Sequence, residues 1–361
     1  MSVPIADPEM GEREIARVRE VMESGHIADG PEVRAFEDEF AAMCEADHGV
    51  ATSNGTTALH TAFEALGVGA GDAVVTTPFS FVASANAIRL AGAEPVFADI
   101  DPETYNLDPV AVEEVVRERD DVAAILPVHL YGLPAEMDAL LDVADDYDLA
   151  VIEDAAQAHG AQFRGQSVGS LGDAACFSLY PTKNMTTGEG GMVTTRRDDV
   201  AEEAASFVNH GRPPEGGYRH VRVGHNFRLT SIAAAIGRVQ LDRLSDYNET
   251  RRSNAAYLTD SLVEADVVTP SEPDDRTHVY HQYTIRTDDR EELADYLDEV
   301  GVGTGVYYPT PIHEQPAYEA VSHDAPVAER AADEALSLPV HPNVSEQDLR
   351  TIVSAIQEYE R

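Results

Sequence analysis

The sequence predicts an α/β protein: a large domain with a mainly parallel seven-stranded sheet between helices, then a smaller C-terminal α+β domain. Three observations predict it. Between Gly49 and Thr194, short β-rich runs alternate with helical stretches, the pattern of a parallel sheet wrapped by helices. A long apolar-periodic stretch from Thr230 to about Leu262 leaves that region, and the Pro- and Asp-rich linker Thr269 to Asp275 follows it. The length of 361 residues, 43% of them hydrophobic, is enough for two packed cores.

Taken in order, a helix at Pro31 to Cys44 carries proline in its first turn, where no intrahelical donor is lost. Strands are expected at Gly49 to Thr52, Ala73 to Thr76, Glu94 to Ala98, Ala123 to His129, Leu149 to Asp154, Ala174 to Ser178 and Gly191 to Thr195. Helical spacing of apolar residues marks Thr56 to Leu66, Phe81 to Leu90, Pro109 to Arg117, Glu136 to Tyr147 and Asp199 to Val208. Beyond the linker come a strand at His281 to Arg286 and a helix at Asp289 to Val300. A last helix is capped by Ser345, with Asp348 three positions on. The large domain is expected to span residues 1–245, N-terminal segment included, and the small one 246–361. The run Gly67-Val68-Gly69-Ala70-Gly71 looks like a dinucleotide fingerprint but follows a helix and precedes a strand, the reverse of the required order. It reads as a tight turn.

Charge narrows the partners. Sixty-six acids against 25 bases give a net −41, a field that repels nucleic-acid backbones and anionic membranes, so neither is expected as a partner. The bases are 24 arginines and one lysine, Lys183. Dense carboxylates and near-absent lysine fit adaptation to molar salt, where charge is screened within about 3 Å, the competing reading being an ordinary acidic protein. Cys44 and Cys176 lie 132 residues apart with no CxxC pairing, so neither a metal site nor a disulfide framework is expected. The segment Met1 to Gly11 lacks the basic start and apolar core of an export signal, and no run approaches the ~20 apolar residues of a membrane span. A cytoplasmic location follows as the expectation.

The chemistry gathers at strand ends. The strand Leu149 to Asp154 is apolar until Glu153-Asp154, and an acid at the carboxyl end of a parallel strand sits where open α/β sheets bind ligands. A helix N-cap is the alternative role for Asp154. The strand Ala174 to Ser178 leads into Leu179-Tyr180-Pro181-Thr182-Lys183-Asn184, which puts the only lysine in a loop past another strand end. Arginine can replace lysine wherever charge alone matters, but it cannot lose a proton and attack a carbonyl. Lysine can form a Schiff base. To do more, such a lysine needs an electron sink, and pyridoxal phosphate asks for a carboxylate at its ring nitrogen, a phosphate cradle and an apolar face on its ring. Asp154 is the carboxylate. In Ser53-Asn54-Gly55-Thr56-Thr57, between a strand and a helix, Gly55 and Thr56 can offer N–H groups and a hydroxyl to a phosphate. Ser178 can add a second hydroxyl. Phe81 can cover the ring, or be core.

These segments resemble the fold-type I pyridoxal-phosphate enzymes, specifically the sugar aminotransferases of the DegT/DnrJ/EryC1/StrS group. The likeness covers nearly the whole chain: Ile27 to Phe40, Ser53 to Leu59, Thr77 to Ala87, Glu153 to Ala161, Ser178 to Thr194 and Gly224 to Thr230. It implies that Lys183 anchors the cofactor covalently and later shuttles protons, that Asp154 pairs with the pyridine nitrogen, and that Gln157 approaches the ring hydroxyl. Phe81 matches the stacking aromatic, while Gly55, Thr56 and Ser178 match the phosphate contacts. Asn226 matches a residue that reaches the phosphate from the neighbouring subunit, so a homodimer with shared active sites is implied. A related subgroup of dehydratases has histidine in place of this lysine, and Lys183 sets the chain with the transaminases. The implied reaction moves an amino group from an amino acid, with glutamate the expected donor, to a nucleotide-linked keto-sugar for glycan biosynthesis, the cofactor passing through its pyridoxamine phosphate form. A sugar dehydratase or a non-catalytic regulatory member of the family are the alternatives.

Anionic substrates need cations. Arg212, Arg219, Arg222 and Arg228, interleaved with His220 and His225, place four of the 24 arginines within seventeen positions. A diphosphate or carboxylate clamp is one reading and pairing with surface acids the other. Tyr307, Tyr308 and His313 are weaker candidates for sugar contacts, with packing as the competing role.

Overall fold

The computed structural model describes residues 3–213, 216–321 and 324–359. Helices α1 (Glu12–Ser24) and α2 (Pro31–Met43) precede strand β1 (His48–Thr52) and helix α3 (Gly55–Ala65). Then come β2 (Ala73–Thr76), α4 (Ala83–Leu90), β3 (Glu94–Phe97), α5 (Pro109–Glu118), β4 (Val122–Leu126), α6 (Met137–Tyr147) and β5 (Ala150–Asp154). A short hairpin, β6 (Gln162–Phe163) and β7 (Gln166–Ser167), leads to β8 (Ala174–Ser178), β9 (Gly191–Thr195) and α7 (Asp198–Val208). The seven expected large-domain strands form one sheet in the order β1-β9-β8-β5-β4-β2-β3. Strands β8, β5, β4, β2 and β3 run parallel, and β9 is antiparallel to both β8 and β1.

Alternation along the strands feeds two helical layers. Ala174 and Cys176 of β8 face a core with α3, α4 and α7, while Ala175 and Phe177 face the other side, where Phe36 and Phe40 of α2 pack. Strand β4 stops at Leu126, short of the expected His129, because Pro127 has no N–H to give the ladder. Its direction is kept by hydrogen bonds from Asp154 N to Pro127 O and from His129 N to Asp154 O. Gly67 and Gly71 occupy the α3-to-β2 turn with φ of 75° and 102°, the left-handed region that favours glycine.

Helix α8 (Ser231–Ser261) is continuous for 31 residues, so the expected division at 245/246 falls inside it. Its C-terminal part enters a second core, where Ala255 and Leu258 meet β11 (Tyr283–Arg286), α9 (Arg290–Glu299), β12 (Ala335–Leu338) and α11 (Glu346–Tyr359). Val3 from the N-terminal segment packs there too. Four elements were not expected from sequence besides the hairpin: α1, β10 (Arg276–Thr277), α10 (Pro326–Glu334) and β12. Strand β10 pairs with β6 over two residues, too few to leave a periodic signal.

Candidate active site

A cavity of ≈740 Å³ opens beyond the carboxyl ends of β5 and β8, walled by the α3 N-terminus, the Lys183 loop and residues ahead of β11. The Asn54 side chain caps α3, accepting from Thr57 N at 2.9 Å while Thr57 Oγ1 accepts from Asn54 N at 3.1 Å. The first N–H groups of the helix, at Gly55 and Thr56, have no acceptor within the helix and form part of the cavity wall. Gly55 is required here because a Cβ would stand 2.8 Å from Ser178 Cβ. The cradle for a phosphate is thus two strands' ends brought into contact with a helix start.

Asp154 closes β5, 5% exposed. Ser84 Oγ donates to its Oδ2 at 2.7 Å and Ala156 N to its Oδ1 at 3.2 Å. Burial raises its pKa despite those bonds and despite Lys183 and His129, so the site holds a carboxylate whose charge is only partly compensated. A protonated ring nitrogen brought beside it relieves that cost, which is the fit expected of pyridoxal phosphate. Glu153, its neighbour, points to the opposite face of the strand. It contacts His129 Nε2 at 3.0 Å and accepts from Gly169, Leu171 and Gly172 N–H groups, a fully structural role.

Gln157 accepts from Tyr131 N at 2.7 Å through Oε1, which turns its amide nitrogen toward Tyr308 Oη, 3.4 Å away in the cavity wall. Lys183 shares the wall with both. Its loop is pinned by Lys183 N to Tyr180 O, and by Asn184 Nδ2 donating to Asn248 Oδ1 and Val279 O. Burial lowers the Lys183 pKa to about 8, opposed by the Asp154 charge, so about a tenth of the amine is neutral at pH 7 and about half at pH 8. His159, buried between Phe40 and Phe177, is held at about 3 by burial and by Lys183, and so stays uncharged.

Residues 8–357 match the profile described as the DegT/DnrJ/EryC1/StrS aminotransferase family. The chain belongs to this family. It is 46% identical to a "Pleiotropic regulatory protein" of Geobacillus stearothermophilus over 100% of this chain and 99% of that one. It is 38% identical to the UDP-N-acetyl-3-dehydro-alpha-D-glucosamine 3-aminotransferase of Acidithiobacillus ferrooxidans, covering 94% and 92%. The crystal structure of S. venezuelae DesV in complex with a ketimine intermediate superposes with a TM-score of 0.93 at 38% identity, covering 96% and 94%.

Within this DegT-family fold, the single chain brings Gly55, Thr56, Phe81, Asp154, Gln157, Ser178, Lys183, Tyr307 and Tyr308 to one cavity. Phe81 is 57% exposed, its ring 6.0 Å from that of Tyr308. Asn226 and Arg228 are not in that wall. Asn226 bridges to Asn209, and Arg228 Nη1 donates to Asn209 Oδ1 at 2.6 Å. Of the arginine patch, Arg222 pairs with Glu203 and Glu64, and Arg212 lies over the Tyr218 ring. His313 is also outside the wall, buried against Phe97 with its Nε2 3.1 Å from Glu329 Oε1. Sequence reasoning missed Ser84, His281, Gln282 and Glu189, all in the wall. Ser84 had a faint signal, lying four residues after Ser80 at the start of a helix. The others are placed by tertiary approach alone.

Proposed function

We propose that this chain is a pyridoxal-phosphate-dependent aminotransferase that moves an amino group from an amino acid, glutamate first among them, to a keto-sugar carried on a nucleotide. The observation that carries the reading is that the chain's only lysine stands in one cavity wall with Asp154, Gln157 and the start of α3. Lys183 would bind the cofactor's aldehyde carbon, Asp154 its ring nitrogen, Gln157 its ring hydroxyl, and Gly55, Thr56 and Ser178 its phosphate, with Phe81 against the ring. When bound, pyridoxal phosphate supplies the electron sink that makes an α-proton removable. Lys183 Nζ, neutral in part at neutral pH, takes that proton and returns it, while Asp154 keeps the ring nitrogen charged. Ser84 and Ala156 N hold Asp154 in place for that task.

Among the cavity's described wall residues Lys183 is the one lysine or arginine, and it shares the wall with Asp154 and Glu189. A nucleotide diphosphate and a dicarboxylate donor need more positive charge than that. Within the segment 210–228, Tyr218 is 92% and Val223 87% exposed, and the same segment carries Asn226 with Arg212 and Arg219. A homodimer in which each copy inserts this segment into the other's cavity supplies the missing groups. We also place the protein in a salt-rich cytoplasm on its charge of −41 and its single lysine. Among the described residues no helix is long and apolar enough to cross a membrane.

The test is direct. Protein purified in high salt with the cofactor should absorb near the visible, and glutamate should bleach that band as the pyridoxamine form accumulates. An absorbance that no amino acid changes would sink the transaminase reading. Lys183→Ala should lose the band while staying folded. The regulatory name borne by the Geobacillus relative supports a second reading, a non-catalytic role for the same fold. Bleaching by glutamate followed by amination of a keto-sugar nucleotide, read by mass spectrometry, excludes it.

A further inference from the structure

A second, smaller chamber of ≈30 Å³ has a wall that includes Asp7, Glu9, Lys183, Asn184, Tyr247 and Arg251, Asp7 itself being exposed. Lys183 is common to the walls of both cavities. Three of the wall side chains carry a buried polar atom with no hydrogen-bond partner: Asn184 Oδ1, Tyr247 Oη and Arg251 Nε. All three residues are at least nine-tenths buried, at 4%, 8% and 6% exposure.

Arg251 is the unusual member. Its Nη1 donates to the carbonyls of Tyr280 and His281, at 3.1 and 3.4 Å, which ties α8 to the segment lining the main cavity. Among the described residues no carboxylate pairs with it, and burial pulls its pKa down to about 10 with no acid opposing. The acids of the chamber wall are engaged elsewhere: Glu9 with Arg243, and Asp7 as acceptor from Asn343 Nδ2 at 3.1 Å. A buried guanidinium without a counter-charge is costly, whereas one that binds an anion recovers the cost. The chamber has room for about two water-sized occupants, at ≳10–15 Å³ each on this measure.

We propose that this chamber is a halide site, with the anion bound by Arg251 Nε–H and the Tyr247 hydroxyl and a companion water donating to Asn184 Oδ1. The orientation of Asn184 is set, since both hydrogens of its Nδ2 are used by Asn248 and Val279. Its Oδ1 therefore needs a donor, which a halide is not and a water is. The bound charge adds to the groups around Lys183, namely Asp154 on one side and uncharged His159 and His281 on the other. It favours the ammonium form of the lysine, so halide and amine reactivity are coupled. Nothing in this depends on which substrate the main cavity takes.

Crystals of the full-length protein grown in bromide test the site, with anomalous scattering expected within hydrogen-bond distance of Arg251 Nε. Thermal unfolding at fixed ionic strength should show a saturable rise of about 2 °C or more in chloride over gluconate. Arg251→Gln should abolish both signals. Should that variant fail to fold, Tyr247→Phe keeps the cation and should need about fivefold more halide for the same rise. The only ε-amine in the chain can be followed by reductive ¹³C-methylation of cofactor-free protein, and the Lys183 titration should move up in chloride. Water-like density without an anomalous peak, or unfolding indifferent to the anion, overturns the site. A Lys183 titration unmoved by chloride overturns the coupling.

Discussion

Ser84→Ala deletes the shorter of the two hydrogen bonds described for Asp154, a 2.7 Å bond between side chains 2% and 5% exposed. A hydrogen bond to a charged group is worth about 1.5–3 kcal/mol. At about 1.4 kcal/mol per unit, its loss should lift the Asp154 pKa by roughly 1–2 units beyond the rise that burial already imposes. The same energy leaves the pairing that keeps a ring nitrogen protonated, so the rate constant for bleaching by glutamate should fall about 10–100-fold. Stopped-flow absorbance at pH 8 with saturating cofactor measures it without knowledge of the sugar. Ser84→Thr, which keeps the hydroxyl, should recover most of the rate. Ser80→Ala removes the 3.1 Å contact to Ser84 Oγ and a 3.2 Å bond to Phe81 O but leaves the Ser84–Asp154 bond in place, and should stay near wild type. A Ser84→Ala rate within threefold of wild type would refute Ser84 as a positioning residue for Asp154.

Other outcomes follow from the same geometry. Asp154 has its folded pKa raised, so it favours the folded state at low pH and costs stability as pH rises through that pKa; Asp154→Asn should raise the Tm of cofactor-free protein at pH 8 while abolishing bleaching. Gly55→Ala puts a Cβ 2.8 Å from Ser178 Cβ and should weaken cofactor binding at least tenfold, measured by equilibrium dialysis. With Lys183 titrating at about 8, its modification by an amine reagent should rise tenfold per pH unit below that value and level off above it, mapped by mass spectrometry. Mixing inactive Lys183→Ala with inactive Asn226→Asp should regain activity through mixed dimers if the segment 210–228 completes the other copy's site; no regain in dimers shown to have exchanged counts against it. Tm should climb steadily with KCl as screening shortens from about 10 Å at 0.1 M to about 3 Å at 1 M.

Much of the sheet was legible because its strands are apolar runs at the ends of amphipathic helices. Strands β2, β8 and β9 match their expected bounds residue for residue. Pro127 cut β4 short of His129, a stop readable from residue type but passed over in favour of the apolar run. The short pieces β6, β7 and β10 were illegible, since two-residue strands exist only because a partner is present. The 31-residue helix α8 shows the limit on domain division: its periodicity is uniform in sequence, while the change from one core to the next is a matter of what packs against it.

At the site, composition alone singled out Lys183, because a chain that has replaced nearly every lysine by arginine keeps one only where a proton must be lost. Strand-end position nominated Asp154, and Gly55 and Thr56 between a strand and a helix marked the phosphate cradle. Those are local properties of residue type and spacing. Tertiary structure decided the rest: that Glu153 serves the Gly169–Gly172 turn and Asp154 the cavity, that Ser84 reaches Asp154 across 70 residues, and that Arg251 is buried with no carboxylate paired to it among the described residues, in the wall of a chamber that also includes Lys183. Burial and long-range pairing set the charge cost of each group, and neither exists until the strands and helices have closed on one another.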